Sequence, residues 1–346
     1  MKLLVTGGAG FIGSAFIREA ISRGLHVLNV DALTYASSLE NLSSIESHPA
    51  YSFKKIDITD RASIDAAIND YEPDAIVHLA AESHVDRSIE GPLSFIQTNI
   101  IGTYNLLESS RAYWQKNNYL SQFKFLHVST DEVFGSLGDQ GLFNEDSAYL
   151  PNSPYSASKA SSDHLVRAWG ETYGLPVLIT NCSNNYGPFQ FPEKLIPVTI
   201  MSAIAGNEIP IYGSGNNIRD WLYVNDHVDA LLSVLSKGQT GRTYNIGGNT
   251  ELTNLELVQK ICSLLDIHKP ANKPYVMQIA FVEDRPGHDQ RYAIDASRIK
   301  KELGWKAMTS IESGLEKTIS WYLENQSWMK KLLERDGVRP RFGPHS

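Results

Sequence analysis

Tyr155 and Lys159 stand four residues apart in the run Tyr155-Ser156-Ala157-Ser158-Lys159, a spacing that puts both side chains on one face of a helix. A phenol titrates near 10, so it serves as a base at neutral pH only where cations favour the phenolate. A lysine one turn away, joined by a positively charged nicotinamide ring, would do that, and the same lysine can hold the nicotinamide ribose. Taken alone, the pair is an ordinary feature of helix surfaces. A second constellation is Ser129-Thr130-Asp131-Glu132-Val133-Phe134-Gly135, which follows an apolar run. Two carboxyl groups in one site do not both ionise readily, so their surroundings can divide them into an acid and a base. In isolation, Asp-Glu is more commonly a helix cap or an exposed acidic loop.

A third signal gives these residues a context. Lys2–Thr6 reads as a strand and runs directly into Gly7-Gly8-Ala9-Gly10-Phe11-Ile12-Gly13 and then a helix. Gly7 permits the tight turn, Gly10 lets backbone approach a pyrophosphate, and Gly13 lets the helix pack closely on the strand. Amides at the helix N-terminus then face the anion. The next strand ends at Asp31, whose carboxylate can accept from both hydroxyls of an adenosine ribose and would repel a 2′-phosphate. NAD is therefore expected rather than NADP. Asp57-Ile58 and Leu79-Ala80-Ala81 close two further strands at their carboxyl ends, where ligands of such sheets bind, and Asp57 is placed to hold the adenine amine.

The elements that must position these groups follow from hydrophobic periodicity. Strands are expected at 2–6, 26–30, 51–57, 75–79 and 123–129, with helices at 11–23, 62–69 and 93–114 between them, a strand–helix alternation that means a parallel sheet covered on both faces. A helix at 154–173 and a strand at 177–181 continue the pattern, which then becomes irregular. Beyond it come helices at 195–205, 224–235, 254–265 and 310–322 and brief strands at 242–246 and 277–281. The expected fold is α/β: a Rossmann-type doubly wound parallel sheet over 1–185, with a smaller C-terminal α/β substrate-binding lobe over 186–346 and some exchange of chain between the two. Residues 326–346, with Arg335, Arg339 and Arg341, read as a helix and then a fraying tail.

Composition narrows the function classes. The chain has 346 residues, 42% hydrophobic and 20% charged, with a formal net charge of −8. These are globular values, and no apolar run reaches the roughly 18 residues a membrane span needs. A surplus of acid argues against a nucleic-acid partner, which needs clustered Lys and Arg. Cys182 and Cys262 form neither a disulfide framework nor a CxxC pair, and read as small hydrophobes in a reducing cytosol. The first residues are too short an apolar patch for a secretory signal, so a cytoplasmic location is expected. The histidines show no HExxH and no Cys/His cluster; His84, His127 and His288 read as structural or surface residues, and no metal is expected.

Together the motifs resemble the dTDP-glucose 4,6-dehydratases of the extended short-chain dehydrogenase/reductase superfamily. The resemblance runs over nearly the whole chain, through residues 6–13 (TGGAGFIG), 31–35 (DALTY), 79–88 (LAAESHVDRS), 129–135 (STDEVFG), 155–159 (YSASK), 181–188 (NCSNNYGP), 219–224 (RDWLYV) and 284–289 (DRPGHD). The Thr-Asp-Glu triplet separates such dehydratases from epimerases and decarboxylases; Phe134 departs from the family's frequent Tyr.

The resemblance implies a homodimer packed through a four-helix bundle of residues 93–114 and 154–173, and NAD that stays bound and is regenerated each cycle. The product would be a 4-keto-6-deoxy sugar nucleotide for deoxysugars such as rhamnose. It implies catalysis by Thr130, Asp131, Glu132, Tyr155 and Lys159. NAD would lie against Gly7, Gly10 to Gly13, Asp31, Ala32, Leu33, Thr34, Asp57, Ile58, Leu79, Ala80, Ala81, Glu82, Ser83, Thr98 and Asn185. The sugar nucleotide, dTDP-glucose, would meet Ser83, Thr130, Asn184, Lys194 and Leu195, the base-contacting segment Pro210, Ile211 and Tyr212, then Arg219, Asn254, Asp284, Arg285, Pro286, Gly287 and His288. Other readings remain open: another nucleotide-sugar dehydratase or a 4-epimerase, which would need no acid pair, and an NAD-sensing scaffold, which has no reason to keep Tyr155, Lys159 and the acid pair together.

Overall fold

Leu3 and Val5 point to one side of the first strand and Leu4 to the other, all fully buried, because successive strand side chains alternate faces. A strand apolar on both faces belongs in the middle of a covered parallel sheet. The computed structural model describes residues 1–334, so the expected tail with Arg335, Arg339 and Arg341 lies outside the described residues. In chain order the strands are β1 (Lys2–Thr6), β2 (His26–Asp31), β3 (Tyr51–Lys55), β4 (Ala75–His78), β5 (Lys124–Thr130) and β6 (Val177–Cys182). Then come β7 (Asn184–Tyr186), β8 (Ile209–Tyr212), β9 (Ile218–Tyr223), β10 (Thr243–Ile246), β11 (Glu251–Thr253) and β12 (Ile279–Val282).

Seven of them form one parallel sheet in the order β10-β6-β5-β4-β1-β2-β3. Strand order reverses between β1 and β4, which opens a crevice at the carboxyl ends. One face is covered by the helices Phe11–Ser22 and Val224–Lys237, through Phe16, Ile17, Val228 and Leu231. The other face is covered by Arg61–Tyr71, Thr103–Lys116 and Pro154–Tyr173, through Ile64, Leu106, Leu107 and Val166. A smaller lobe holds the sheet β11-β9-β7 and the parallel pair β12-β8. Its core is built from Tyr186, Trp221, Ile261, Leu315 and Tyr322.

Although both follow residue 185, β10 pairs in parallel with β6 and the helix Val224–Lys237 packs on the large sheet; that helix is the crossover a parallel strand requires. The single helix expected at 93–114 is a helical run in three parts: Pro92–Phe95, a wider-turned Ile96–Gly102, and Thr103–Lys116. Wider turns of this kind concentrate at functional sites. Here the wide turn carries Thr98 to the cavity wall and Asn99 inward, where its amide brackets Glu82: Asn99 Oδ1 accepts from Glu82 N at 2.9 Å and Nδ2 donates to Glu82 O at 3.0 Å.

Candidate active site

A cavity of about 320 Å³ runs along the carboxyl ends of β1, β2, β4, β5 and β6. Its floor at β1 is made of backbone. Gly7 has φ +71°, and a Cβ there would fall 2.6 Å from Ala80 N; at Gly13 a Cβ would fall 2.1 Å from Gly7 O. Both positions are thus closed to any side chain, whereas a Cβ on Gly10 would meet only Gly7 O, at 3.3 Å. That leaves an open side at the start of the helix Phe11–Ser22, where free amides suit a diphosphate. Asp31 Oδ2 accepts from Ala9 N at 2.9 Å and Oδ1 from Leu33 N at 2.8 Å, which fixes the carboxylate at the end of β2. Burial pushes this carboxyl up, and the two backbone amides pull it back. The chemistry of this donor and acceptor set fits NAD.

At the other end lie the reacting groups. Ser153 and Ser156 form a capping box and Pro154 occupies the first turn, so the helix Pro154–Tyr173 begins immediately before Tyr155. Tyr155 is buried against Phe95, edge to face at 6.3 Å. Burial, with Glu132 next in weight, drives its phenol well above the usual value, while a hydrogen bond with Thr130 pulls the other way. Thr130 ends β5 and caps the short turn Asp131–Phe134, its hydroxyl accepting from Glu132 N at 3.3 Å.

Asp131 is 1% exposed. It receives one hydrogen bond, from Thr130 Oγ1 at 3.3 Å, and its Oδ2 is buried with no partner among the described residues. Burial first, then the charges of Glu132 and Asp220, raise it well above the usual carboxylate range. Burial also raises Glu132, but Arg285, Lys194 and Arg219 draw it back. Both carboxyls are thus raised, Asp131 well above its usual range and Glu132 less so, because three cations favour the charged form of Glu132. Lys159 is buried, and its ammonium donates to Val128 O at 2.9 Å.

The cavity wall brings together Gly7, Gly10, Phe11, Ile12, Gly13, Asp31, Ala32, Thr34, Asp57, Ile58, Leu79 to Ser83, Thr98, Thr130 to Glu132, Tyr155, Lys159, Asn184, Asn185 and Lys194. Leu33 is not on that wall; it sits at φ 55° with its amide on Asp31. The remaining expected substrate residues stand outside the wall. Leu195 starts the helix Leu195–Ala205. Ile211 is buried in the lobe core, and Pro210 pairs with Ala280 beside it. Asn254 donates its amide to Asn217 O, and Gly287 lies in a left-handed turn next to Pro286. Tyr212 OH donates to Asp86 Oδ2 at 3.0 Å, and Arg285 reaches Asp86 Oδ1 at 3.4 Å. His288 contacts Asp284 at 2.6 Å, and Arg219 lies over the Tyr292 ring.

Several lining residues escaped the sequence reading. Glu193 accepts from Tyr35 OH at 3.1 Å and from Arg87 Nε at 3.4 Å, while the Arg87 guanidinium lies 3.8 Å over the Tyr35 ring. Its place beside Lys194 was the one available signal. Cys182 also lines the cavity, where burial pushes its thiol up to about 12, so it is an inert wall. Among the described residues no group of three or more His, Cys, Asp or Glu is arranged to hold a metal ion.

A dinucleotide cradle at a Rossmann switch point, joined to a Tyr-Lys helix, defines a short-chain dehydrogenase/reductase of the extended kind. Residues 4–318 match the family model described as GDP-mannose 4,6 dehydratase. The chain is 58% identical over 344 residues, 98% of each sequence, to dTDP-glucose 4,6-dehydratase of Xanthomonas campestris pv. campestris. It is similar in structure to dTDP-glucose 4,6-dehydratase of Bacillus anthracis in complex with NAD, at TM-score 0.86 and 45% identity, covering 96% of this chain and 99% of that one. DesIV, the dTDP-glucose 4,6-dehydratase of Streptomyces venezuelae, also solved with NAD, gives TM-score 0.88 and 43% identity over 96% and 100% of the two chains. The chain belongs to the dTDP-glucose 4,6-dehydratase family.

Proposed function

We infer that this chain converts dTDP-glucose to dTDP-4-keto-6-deoxyglucose and water, as an NAD-dependent hydro-lyase. The observation that carries the reading is the divided carboxyl pair. Asp131 is buried with an unpartnered oxygen and raised well above the usual carboxylate range, while Glu132 beside it is raised less because Arg285, Lys194 and Arg219 favour its charge. An epimerase has no use for such a pair; an elimination needs both members.

The glycine turn, Asp31 to Thr34, Asp57-Ile58, Leu79 to Ser83, Thr98, Asn185, Tyr155 and Lys159 would hold NAD. NAD held there would supply the hydride acceptor for C4 of the sugar and, once reduced, the hydride donor for C6. Tyr155 takes the proton of the C4 hydroxyl, with the Thr130 hydroxyl bonded to the same oxygen. The Lys159 ammonium, favoured by its Val128 carbonyl contact, supports the phenolate. The 4-keto group acidifies C5, and Glu132 removes that proton while Asp131 donates its own to the departing C6 hydroxyl, releasing water. Glu132 then returns its proton to C5. Ser83, Asn184, Lys194 and Leu195 would meet the sugar and diphosphate. Pro210 to Tyr212, Arg219, Asn254 and Asp284 to His288 would take the nucleoside side, where guanidinium forks suit phosphate oxygens.

The protein works as a homodimer in this reading. Leu93, Ile96, Ile101, Tyr104 and Tyr173 are all exposed on the two adjoining helical runs 92–116 and 154–173, an apolar stripe of the kind that marks an interface. The free thiols of Cys182 and Cys262 fit a reducing compartment such as the cytoplasm. No described helix is long and apolar enough to cross a membrane.

Purified protein incubated separately with dTDP-glucose and UDP-glucose, without added cofactor, tests the assignment by mass spectrometry. Loss of one water from dTDP-glucose, with NAD released only on denaturation, is the expected result. Preference for UDP-glucose would overturn the base assignment, and no mass change from either sugar, even with NAD supplied, would overturn the reaction.

A further inference from the structure

Behind the Tyr-Lys pair lies a buried charge that the reaction above does not use. Asp163 follows Lys159 by one more helical turn, so Tyr155, Lys159 and Asp163 stack on one face of the helix Pro154–Tyr173. That helix rests on β5 and β6; His127 of β5 has His78 of β4 as its register partner, with rings 5.1 Å apart. His78 is occupied on both ring nitrogens, by Thr6 Oγ1 at 2.8 Å and Thr103 Oγ1 at 2.9 Å. His127 is not: its Nε2 lies 3.5 Å from Lys159 Nζ and 3.1 Å from Asp163 Oδ1, and its Nδ1 has no partner among the described residues. The approach of Asp163 Oδ1 to His127 Nε2 is close but not aligned as a hydrogen bond, since Oδ1 has no hydrogen-bond partner. The other oxygen, Oδ2, accepts from Ser129 Oγ at 2.9 Å, Tyr149 OH at 2.9 Å and Asn181 Nδ2 at 3.1 Å. Three donors from three segments converge on one fully buried carboxylate oxygen, an arrangement that holds a charge rather than a neutral acid.

We propose that Asp163 is a positioning residue: acting past the His127 imidazole, it is the counter-charge that keeps the buried Lys159 ammonium charged beneath Tyr155. This deepens the reading of the site given above and rests on it for the role of Tyr155. The groups facing Lys159 leave Asp163 that duty. From β4 and β5, His78 and His127 are neutral, since burial lowers both. From β6, the Cys182 thiol keeps its proton. Asp131 is raised well above its usual range, Glu132 is raised as well and already lies among Arg285, Lys194 and Arg219, and Tyr155 is the group being served. Burial alone pulls Lys159 down, and Asp163 is the largest influence opposing it. Asp163 is itself held below the usual carboxylate range, because His127, Lys159 and Ser129 together outweigh its burial.

The test compares holoenzyme carrying Asp163→Asn with the parent, using the phenolate absorbance of Tyr155, with Tyr155→Phe as the baseline, and the pH dependence of kcat. With the counter-charge gone, Tyr155 should titrate about one pH unit higher. The acid limb of kcat should move with it, giving about tenfold lower kcat at neutral pH that recovers as pH rises, with KM changed less than about twofold. An unshifted titration with kcat reduced equally at every pH assigns Asp163 a structural role alone and overturns the proposal. Tyr149→Phe removes one donor to the carboxylate and should shift both readouts in the same direction by less. Should Asp163→Asn not fold, an unshifted Tyr149→Phe overturns the proposal by itself. The phenolate titration needs no sugar, so it decides the point even where dTDP-glucose fails as substrate and the functional reading falls.

Discussion

Asp131 and Asp163 are both buried aspartates beside β5, Asp131 directly after its carboxyl end and Asp163 midway along the helix Pro154–Tyr173, and their surroundings drive them in opposite directions. Asp131 has a single weak donor and two acidic neighbours, and it is raised well above the usual range. Asp163 has three donors and a neighbouring imidazole and ammonium, and it is lowered. Burial is shared, so burial does not decide protonation here; the partners do. One region is built to keep a proton for delivery, the other to keep a charge for support.

The largest effect separates them through chemistry. Asp131→Asn leaves a group of the same shape without an acid proton, so kcat should fall about 10²–10⁴-fold, read as water loss from dTDP-glucose. Raising the pH should not restore it, because an amide has nothing to titrate in this range. Rescue of Asp131→Asn by pH would erase the distinction between the two aspartates.

The next effects are on stability and concern Asp163. Removing one partner of a buried charge set leaves the others unpaired, so Asp163→Ala should cost about 3–5 kcal/mol in urea unfolding. Ser129→Ala deletes one hydrogen bond to the charged carboxylate and should cost about 1.5–3 kcal/mol. Equal, near-zero costs for both would mean that Asp163 is neutral in the folded protein.

The two regions were unequally readable from sequence. Thr130, Asp131 and Glu132 are consecutive, and the glycine turn with Asp31 lies within a short stretch, so the chemistry shows in local order. Tyr155 and Lys159 show through helical spacing. Asp163 continues that spacing by one turn, but its meaning depends on Ser129, Tyr149 and Asn181, which reach it from separate segments, and no local pattern records such convergence. The same limit hid the partner of β10, whose apolar pattern reads as a strand but names no neighbour. For the outer substrate residues, Arg219 and Arg285 were expected as phosphate forks; their charges also act on Glu132, which motif matching does not convey.

The smallest effect is also the sharpest test of sign. Asp131, raised in the folded state, binds its proton more tightly there than in the unfolded chain, so its contribution to stability is fullest below the unfolded value of about 3.9. That contribution declines as pH climbs from there toward the folded value. Asp163, lowered in the folded state, does the reverse: its contribution is present above about 3.9 and is lost as pH falls through its lower folded value. Asp131→Asn should therefore stabilise the protein at neutral pH, on the order of 1 kcal/mol, with the gain over the parent shrinking as pH approaches 4. Denaturant midpoints measured from pH 4 to 8 check both the direction and the slope. A loss of stability in Asp131→Asn at neutral pH would mean that the Asp131 carboxyl is favourably charged in the folded protein, and Glu132 would then have to be the proton donor.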